Sequence, residues 1–128
     1  MPPGTVLRTE SFDLANGYGF KVGSAPLRPK PNDTEHDWHV WNSDVSMTTL
    51  QAVGGAHFVL LEQDEDPSFA TCQRRSAYVD YLDSNDLDGR NVCIYTAKGM
   101  IALMHVDSST RLDQYSYTLG VTVTVWAA

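Results

Sequence analysis

Long apolar runs, clustered positive charge and a cysteine framework are all missing from this chain of 128 residues. No apolar stretch approaches the roughly 20 residues a helix needs to span a bilayer, so membrane insertion is not expected. Lys and Arg number 9 against 16 Asp and Glu, a net charge of −7. The basic residues are scattered, which argues against a nucleic-acid surface and against an anionic membrane surface, since both need clustered cations. Met1-Pro2-Pro3-Gly4 lacks the basic and apolar segments of a signal peptide. The sequence therefore reads as cytoplasmic, or as starting after a removed segment or inside a longer chain.

Catalytic signatures are absent too. There is no Gly-x-Ser-x-Gly elbow and no glycine-rich phosphate loop, since Gly54-Gly55 and Gly17-x-Gly19 are turn glycines. Carboxylates are plentiful, but no spacing selects two of them as a hydrolytic pair. Nothing implies a cofactor. The 2 cysteines, Cys72 and Cys93, form no C-x-x-C, which excludes a zinc ribbon or a thioredoxin-type motif. Paired, they would close a loop of about 20 residues, worth on the order of 3 kcal/mol in the chain-entropy model. Two separate buried thiols acting as small hydrophobes is the other reading.

What is present is strand pattern. Asn91 to Thr96 is β-branched and aromatic, Ala97-Lys98-Gly99 is a short loop ending in glycine, and Met100 to Val106 resumes the apolar run. That is a hairpin signal. From Tyr115 to Trp126 the residues alternate, with Tyr115, Tyr117, Leu119, Val121, Val123 and Val125 on one face and Ser116, Thr118, Gly120, Thr122 and Thr124 on the other. A period of two describes a strand with one buried side. Upstream, Thr5 to Asp13 and Tyr18 to Val22 read as a hairpin around Asn16-Gly17, a type I′ turn pair. Ser24 to Thr34, with Pro26, Pro29 and Pro31, reads as a long loop. Further strands are expected at His36 to Trp41, Val45 to Val53, Ala56 to Leu61 and Ala77 to Leu82. One short helix is expected over Pro67 to Arg75, with Asp66 as N-cap and Pro67 at its first position, Phe69 and Cys72 facing inward. Asp83 to Gly89 reads as an acidic turn. About eight strands with one short helix predict a single all-β domain over residues 1–128, an antiparallel β-sandwich or barrel. No internal repeat is found.

The pattern Gly89-x-x-x-Cys93-x-x-Thr96-x-x-Gly99-x-x-Ala102-x-x-x-Val106, followed by Val121-Thr122-Val123-Thr124-Val125-Trp126, resembles a small β-rich extracytoplasmic domain of actinobacterial secreted proteins and membrane-anchored regulators. In that family an earlier cysteine stands in an alanine- or aromatic-rich helical stretch, as in Phe69-Ala70-Thr71-Cys72. The likeness covers residues 68–126, and residues 10–60 only loosely. Asp88 and Met100 depart from it, where the family often has proline and arginine. The resemblance implies an exported, non-enzymatic module with Cys72 and Cys93 disulfide-bonded, and it implies no particular ligand. Pairing of this kind persists in oxidising compartments, so an extracellular or extracytoplasmic location is expected.

Three groups of residues are candidate sites. Glu35-His36-Asp37-Trp38-His39 carries metal-ligating types, but on a strand His36 and His39 diverge, so zinc would need a further ligand from His57 or His105. The simpler reading is a polar strand edge. Asp80, Asp83, Asp86 and Asp88, with Asn85 and Gly89, offer oxygen ligands for calcium. Counting from Asp83, however, position five is Leu87 and no glutamate closes an EF-hand loop, so a solvated acidic turn is the simpler reading. No metal site is assigned. The third group is aromatic: Trp38 and Trp41 cannot share one face of a strand, and Tyr78 and Tyr81 are similarly split. An exposed platform of Trp38, Trp41, His39, Tyr78 and Tyr81 would stack sugars or bind a protein surface. The expected function is thus a non-catalytic extracytoplasmic binding or sensing module for carbohydrate, cell envelope or a protein partner. The alternatives are a structural module that forms homo-oligomers, and a secreted inhibitor or small hydrolase.

Overall fold

In the computed structural model, residues 2–23, 27, 29–31, 39–42, 49–84, 87–111 and 117–127 are described. Ten strands and one helix occur among them: β1 (Val6–Leu14), β2 (Tyr18–Phe20), β3 (Lys30–Pro31), β4 (Val40–Asn42), β5 (Thr49–Ala52), β6 (His57–Leu60), α1 (Phe69–Arg74), β7 (Tyr81–Asp83), β8 (Asn91–Tyr95), β9 (Ile101–Arg111) and β10 (Tyr117–Trp126). They form two five-stranded sheets, ordered β1-β10-β9-β8-β6 and β3-β2-β4-β5-β7. Every pairing is antiparallel. The architecture is an all-β, sandwich-like fold with no closed barrel.

The core lies between the sheets. Leu119, Val121, Val123 and Val125 of β10 point into it at 0–1 % exposure, alongside Met104 and Ala102 of β9 and Val92 and Ile94 of β8. From the other sheet come Phe20, Val40, Leu50 and Leu82. The alternation in the last strand is therefore real, since Thr118, Thr122 and Thr124 on its other face are only half-buried. Each inward Val, Leu, Ile, Phe or Met side chain contributes about 1.5–3 kcal/mol by leaving water. The hairpin between β8 and β9 is also as expected, with Gly99 at φ 87° and Thr96 N donating to Met100 O at 3.0 Å.

Asn16-Gly17 does not close a hairpin. β1 pairs with β10 over eight partners and β2 pairs with β3 and β4, so the turn carries the chain from one sheet to the other. Gly17 uses its positive φ of 83°, but for a corner. Asn42 fixes that corner: its Nδ2 donates to Leu14 O at 3.0 Å, buried, and its own carbonyl accepts from Gly17 N at 2.7 Å. At the opposite side a single segment joins both sheets. Phe58 and Val79 exchange two backbone hydrogen bonds of 2.8 Å, and two residues later the same chain enters β7 against β5.

The helix is shorter than expected and starts later. Ser68, not Asp66, is the N-cap: its backbone is extended and its Oγ accepts from Thr71 N at 3.2 Å. Ser68 N donates to Asp66 O at 2.9 Å, a tight turn that a helix beginning at Pro67 would not contain. Glu65 folds back before it, accepting from Glu62 N at 2.8 Å and from the Arg75 guanidinium, which holds its carboxyl below the ordinary range. The helix packs on the outer face of the first sheet. There Cys72 is disulfide-bonded to Cys93 with Cα atoms 5.7 Å apart, and Phe69 meets Trp126 edge-on at 5.7 Å. Val59, Leu61 and Leu103 complete this second apolar cluster.

β4 and β5 overlap the strands expected at His36 to Trp41 and Val45 to Val53. Residues 32–38 and 43–48, most of the proline-rich loop and Tyr115 lie outside the described residues. In the acidic turn, Leu87 is fully buried and its carbonyl accepts from Arg90 N at 3.0 Å, so that segment is anchored by an apolar side chain between its carboxylates.

Candidate functional site

Strand register decides which of the aromatic residues meet. Gly19 pairs with Trp41, Trp41 with Gln51, and Gln51 with Tyr81, across four strands of the second sheet. Directly paired residues share a face, and the neighbouring row Asn42, Leu50 and Leu82 points inward and is buried. Trp41, Gln51 and Tyr81 therefore line up on the outer face. Two strand separations put Trp41 and Tyr81 about 10 Å apart along the row. Tyr81 is 67 % exposed, while Trp41 and Gln51 are half-buried. Beside the row a shallow depression of about 310 Å³ is lined by Thr49, Gln51, Ala52, Asp80 and Tyr81. Trp41 Nε1 and Thr49 Oγ1 are buried without a hydrogen-bond partner.

Asp80 carries the surface around the corner. Its Oδ1 lies 2.8 Å from His57 Nδ1, both side chains being well exposed. The His57 ring stacks on Tyr78 at 5.7 Å with planes 16° apart, and Tyr78 leans on Tyr95 at 4.8 Å. Tyr95 donates its hydroxyl to Cys72 O at 2.5 Å. Burial, reinforced by the neighbouring Tyr78, pushes the Tyr95 phenol up to about 12. One continuous surface results: Trp41, Gln51 and Tyr81, then Asp80, His57, Tyr78 and Tyr95. The segment crossing between the sheets supplies its middle, because Tyr78, Asp80 and Tyr81 all lie on it.

Such a surface offers ring faces for stacking and a carboxylate, an amide and an imidazole for hydrogen bonding. The candidate metal residues do not converge. His57 lies in the row of Tyr95 and Ile101, whereas His105 of β9 lies four residues along in the row of Asn91, with Nδ1 2.9 Å from Asn91 Oδ1 and Nε2 3.7 Å from Asp107. No group of three His, Cys, Asp or Glu close enough to hold a metal occurs among the described residues.

The aromatic residues expected to act together are separated in part. Trp41, Tyr78 and Tyr81 share the surface just described. His39, immediately before β4, instead accepts from Val22 N at 3.0 Å through its Nδ1 and lines a different recess. Trp38, Glu35, His36, Asp37, Asn85 and Asp86 lie outside the described residues. Gln51, His57, Asp80 and Tyr95 join the surface without having been grouped with the aromatics from sequence. Gln51 follows from alternation along β5 once Leu50 is known to point inward. The contact of His57 with Asp80 has no local signal, since it depends on a bridge between Phe58 and Val79.

Comparison with protein-family models, with curated proteins and with solved structures finds no match to this chain.

Proposed function

We propose that this protein is a non-catalytic binding module that recognises carbohydrate, such as a cell-envelope glycan, through its outer aromatic surface. The observation that carries the reading is the register-matched row Trp41, Gln51 and Tyr81, with Tyr81 67 % exposed on a sheet face. Tyrosine and tryptophan present an apolar ring and a polar edge, which suits the apolar faces and hydroxyl rims of sugars. Asp80 and Gln51 stand beside the rings as hydrogen-bonding groups. The unmet hydrogen-bonding capacity of Trp41 Nε1 and Thr49 Oγ1 lies on the same face, and a ligand hydroxyl that reached them would relieve their cost. An extracytoplasmic setting is part of the proposal. It is supported by the Cys72–Cys93 disulfide, because such pairs persist in oxidising compartments.

The test is co-sedimentation with cellulose, chitin and purified bacterial cell wall, comparing the natural chain with Trp41→Ala and Tyr81→Ala. Binding should weaken about fivefold or more for each variant, as expected from loss of a stacking ring worth roughly 1 kcal/mol or more, with the circular dichroism spectrum retained. Binding that ignores both substitutions would sink the surface. A chain that sediments with none of the three polymers would sink the carbohydrate reading and turn attention to a protein partner.

A further inference from the structure

The row Trp41, Gln51 and Tyr81 runs across β4, β5 and β7, at right angles to the strands. Adjacent strands lie about 4.7–4.9 Å apart, so the two ring positions are separated by two equal steps, roughly 10 Å. Gln51 stands at the midpoint. No register shift interrupts the pairing of Trp41 with Gln51 or of Gln51 with Tyr81, so all three positions fall on one line. Tyr81 is 67 % exposed and Trp41 is half-buried. On the far side of Trp41 the row continues as Gly19, which adds no side chain, and β7 is the last strand of its sheet. The platform is therefore periodic: ring, amide, ring. Only a ligand with a repeat of its own uses such an arrangement fully.

A chain of β-1,4-linked hexopyranoses has that repeat. Each sugar is turned over relative to the one before it, so every second sugar presents the same face in the same orientation. The length of this two-sugar repeat matches two strand separations. With one sugar stacked on Trp41, the next but one falls on Tyr81, and the sugar between them meets Gln51. An amide both donates and accepts, which suits a sugar hydroxyl that does the same. Chains linked α-1,4 coil instead, and their successive rings leave a straight line after a sugar or two. A lone monosaccharide covers one ring and leaves the other in water. Strands in a sheet are rotated by roughly 20–25° from one to the next, so the floor under Tyr81 is turned about 40–50° from the floor under Trp41. An isolated chain follows that turn by small rotations about its glycosidic bonds, whereas the flat face of an ordered fibre would not.

We infer that the surface binds a single extended β-1,4-linked glycan chain laid across the strands, with Trp41 and Tyr81 stacked on alternate sugars and Gln51 hydrogen-bonded to the sugar between. This rests on the carbohydrate reading above and narrows it to a linkage, a minimum length of three sugars and a direction on the sheet. The test is isothermal titration calorimetry of the full chain with di-, tri- and tetrasaccharides of β-1,4-linked N-acetylglucosamine and of β-1,4-linked glucose. Maltotriose and maltotetraose serve as the α-1,4-linked controls. Affinity is expected to step up about fivefold or more from disaccharide to trisaccharide in a β-1,4 series, as the second ring comes into use, with no such step in the maltose series. Tyr81→Ala should erase the step, and Tyr81→Phe, which keeps the ring, should preserve it. An equal step in the maltose series, no step at all, or a step that survives Tyr81→Ala would each overturn the inference and leave the carbohydrate reading standing. So would silence from every oligosaccharide while cell wall still sediments the protein through Trp41 and Tyr81. Binding to neither soluble nor insoluble glycan would end both.

Discussion

Asn42 does more for the fold than its size suggests. At 1 % exposure it bonds Leu14 O through its side chain and Gly17 N through its carbonyl, so both ends of the corner between β1 and β2 depend on it. Asn42→Ala would remove this buried bond to the Leu14 carbonyl, a loss of about 1–3 kcal/mol, read as a lower midpoint of urea unfolding. Tyr81→Ala, at a side chain 67 % exposed, should stay within about 0.5 kcal/mol of the natural chain in the same experiment. Tyr95 gives a pH-dependent contrast. Its phenol ionises near 12 in the folded protein and near 10 when unfolded, so the folded state holds the proton more tightly. Its contribution is fully present below about pH 10 and is lost as the pH rises through about 12. Tyr95→Phe should therefore flatten the fall in stability over that window, as measured by urea midpoints at stepped alkaline pH. Partial exposure of the ring keeps the effect below the full linkage value through solvent screening.

The six-residue helix α1 is far below the about 12–15 residues at which an isolated helix becomes even marginal in water. Its attachments are the Ser68 cap, the Phe69–Trp126 contact, the Tyr95 bond to Cys72 O and the disulfide. Cys72→Ala with Cys93→Ala should cost on the order of 3 kcal/mol, and hydrogen exchange at Thr71 and Cys72 should accelerate before exchange in β9 or β10 does. The terminal strand and the β8–β9 hairpin were legible beforehand because their signals are local: period-two alternation and a glycine at the turn. Asn16-Gly17 was legible as a turn and illegible as a corner. The dipeptide specifies positive φ, while the partner of β1 is fixed by β10, more than a hundred residues away. The start of α1 was misplaced for a related reason. Asp66 and Ser68 are both good caps by type, and the Glu65–Arg75 contact that turns the chain back spans 10 residues. The aromatic row was half legible. Tyr81 and Trp41 stood out by composition, but their alignment passes through Gln51 and rests on two registers that no short window contains.

Seen whole, the sandwich is tied along both sides by segments that change sheets: Asn16-Gly17 at one, Tyr78 to Asp83 at the other. The second of these also holds three residues of the aromatic surface, so the geometry of that surface depends on both sheets staying together. One further property follows from the way β1 lies against β10. Val6 is opposite Trp126, Gly4 N donates to Ala127 O at 2.9 Å, and Ala127 N to Thr5 O at 2.8 Å. Tension applied between Pro2 and Ala127 would therefore enter the ladder at one end and peel its rungs one after another. Tension applied between Ala15 and Ala127 would enter at opposite ends and load the same rungs together, in shear. In single-molecule pulling the first geometry should yield at clearly lower force than the second, which makes this protein a directional fastener: soft when opened from its termini, stiff when drawn along its strands.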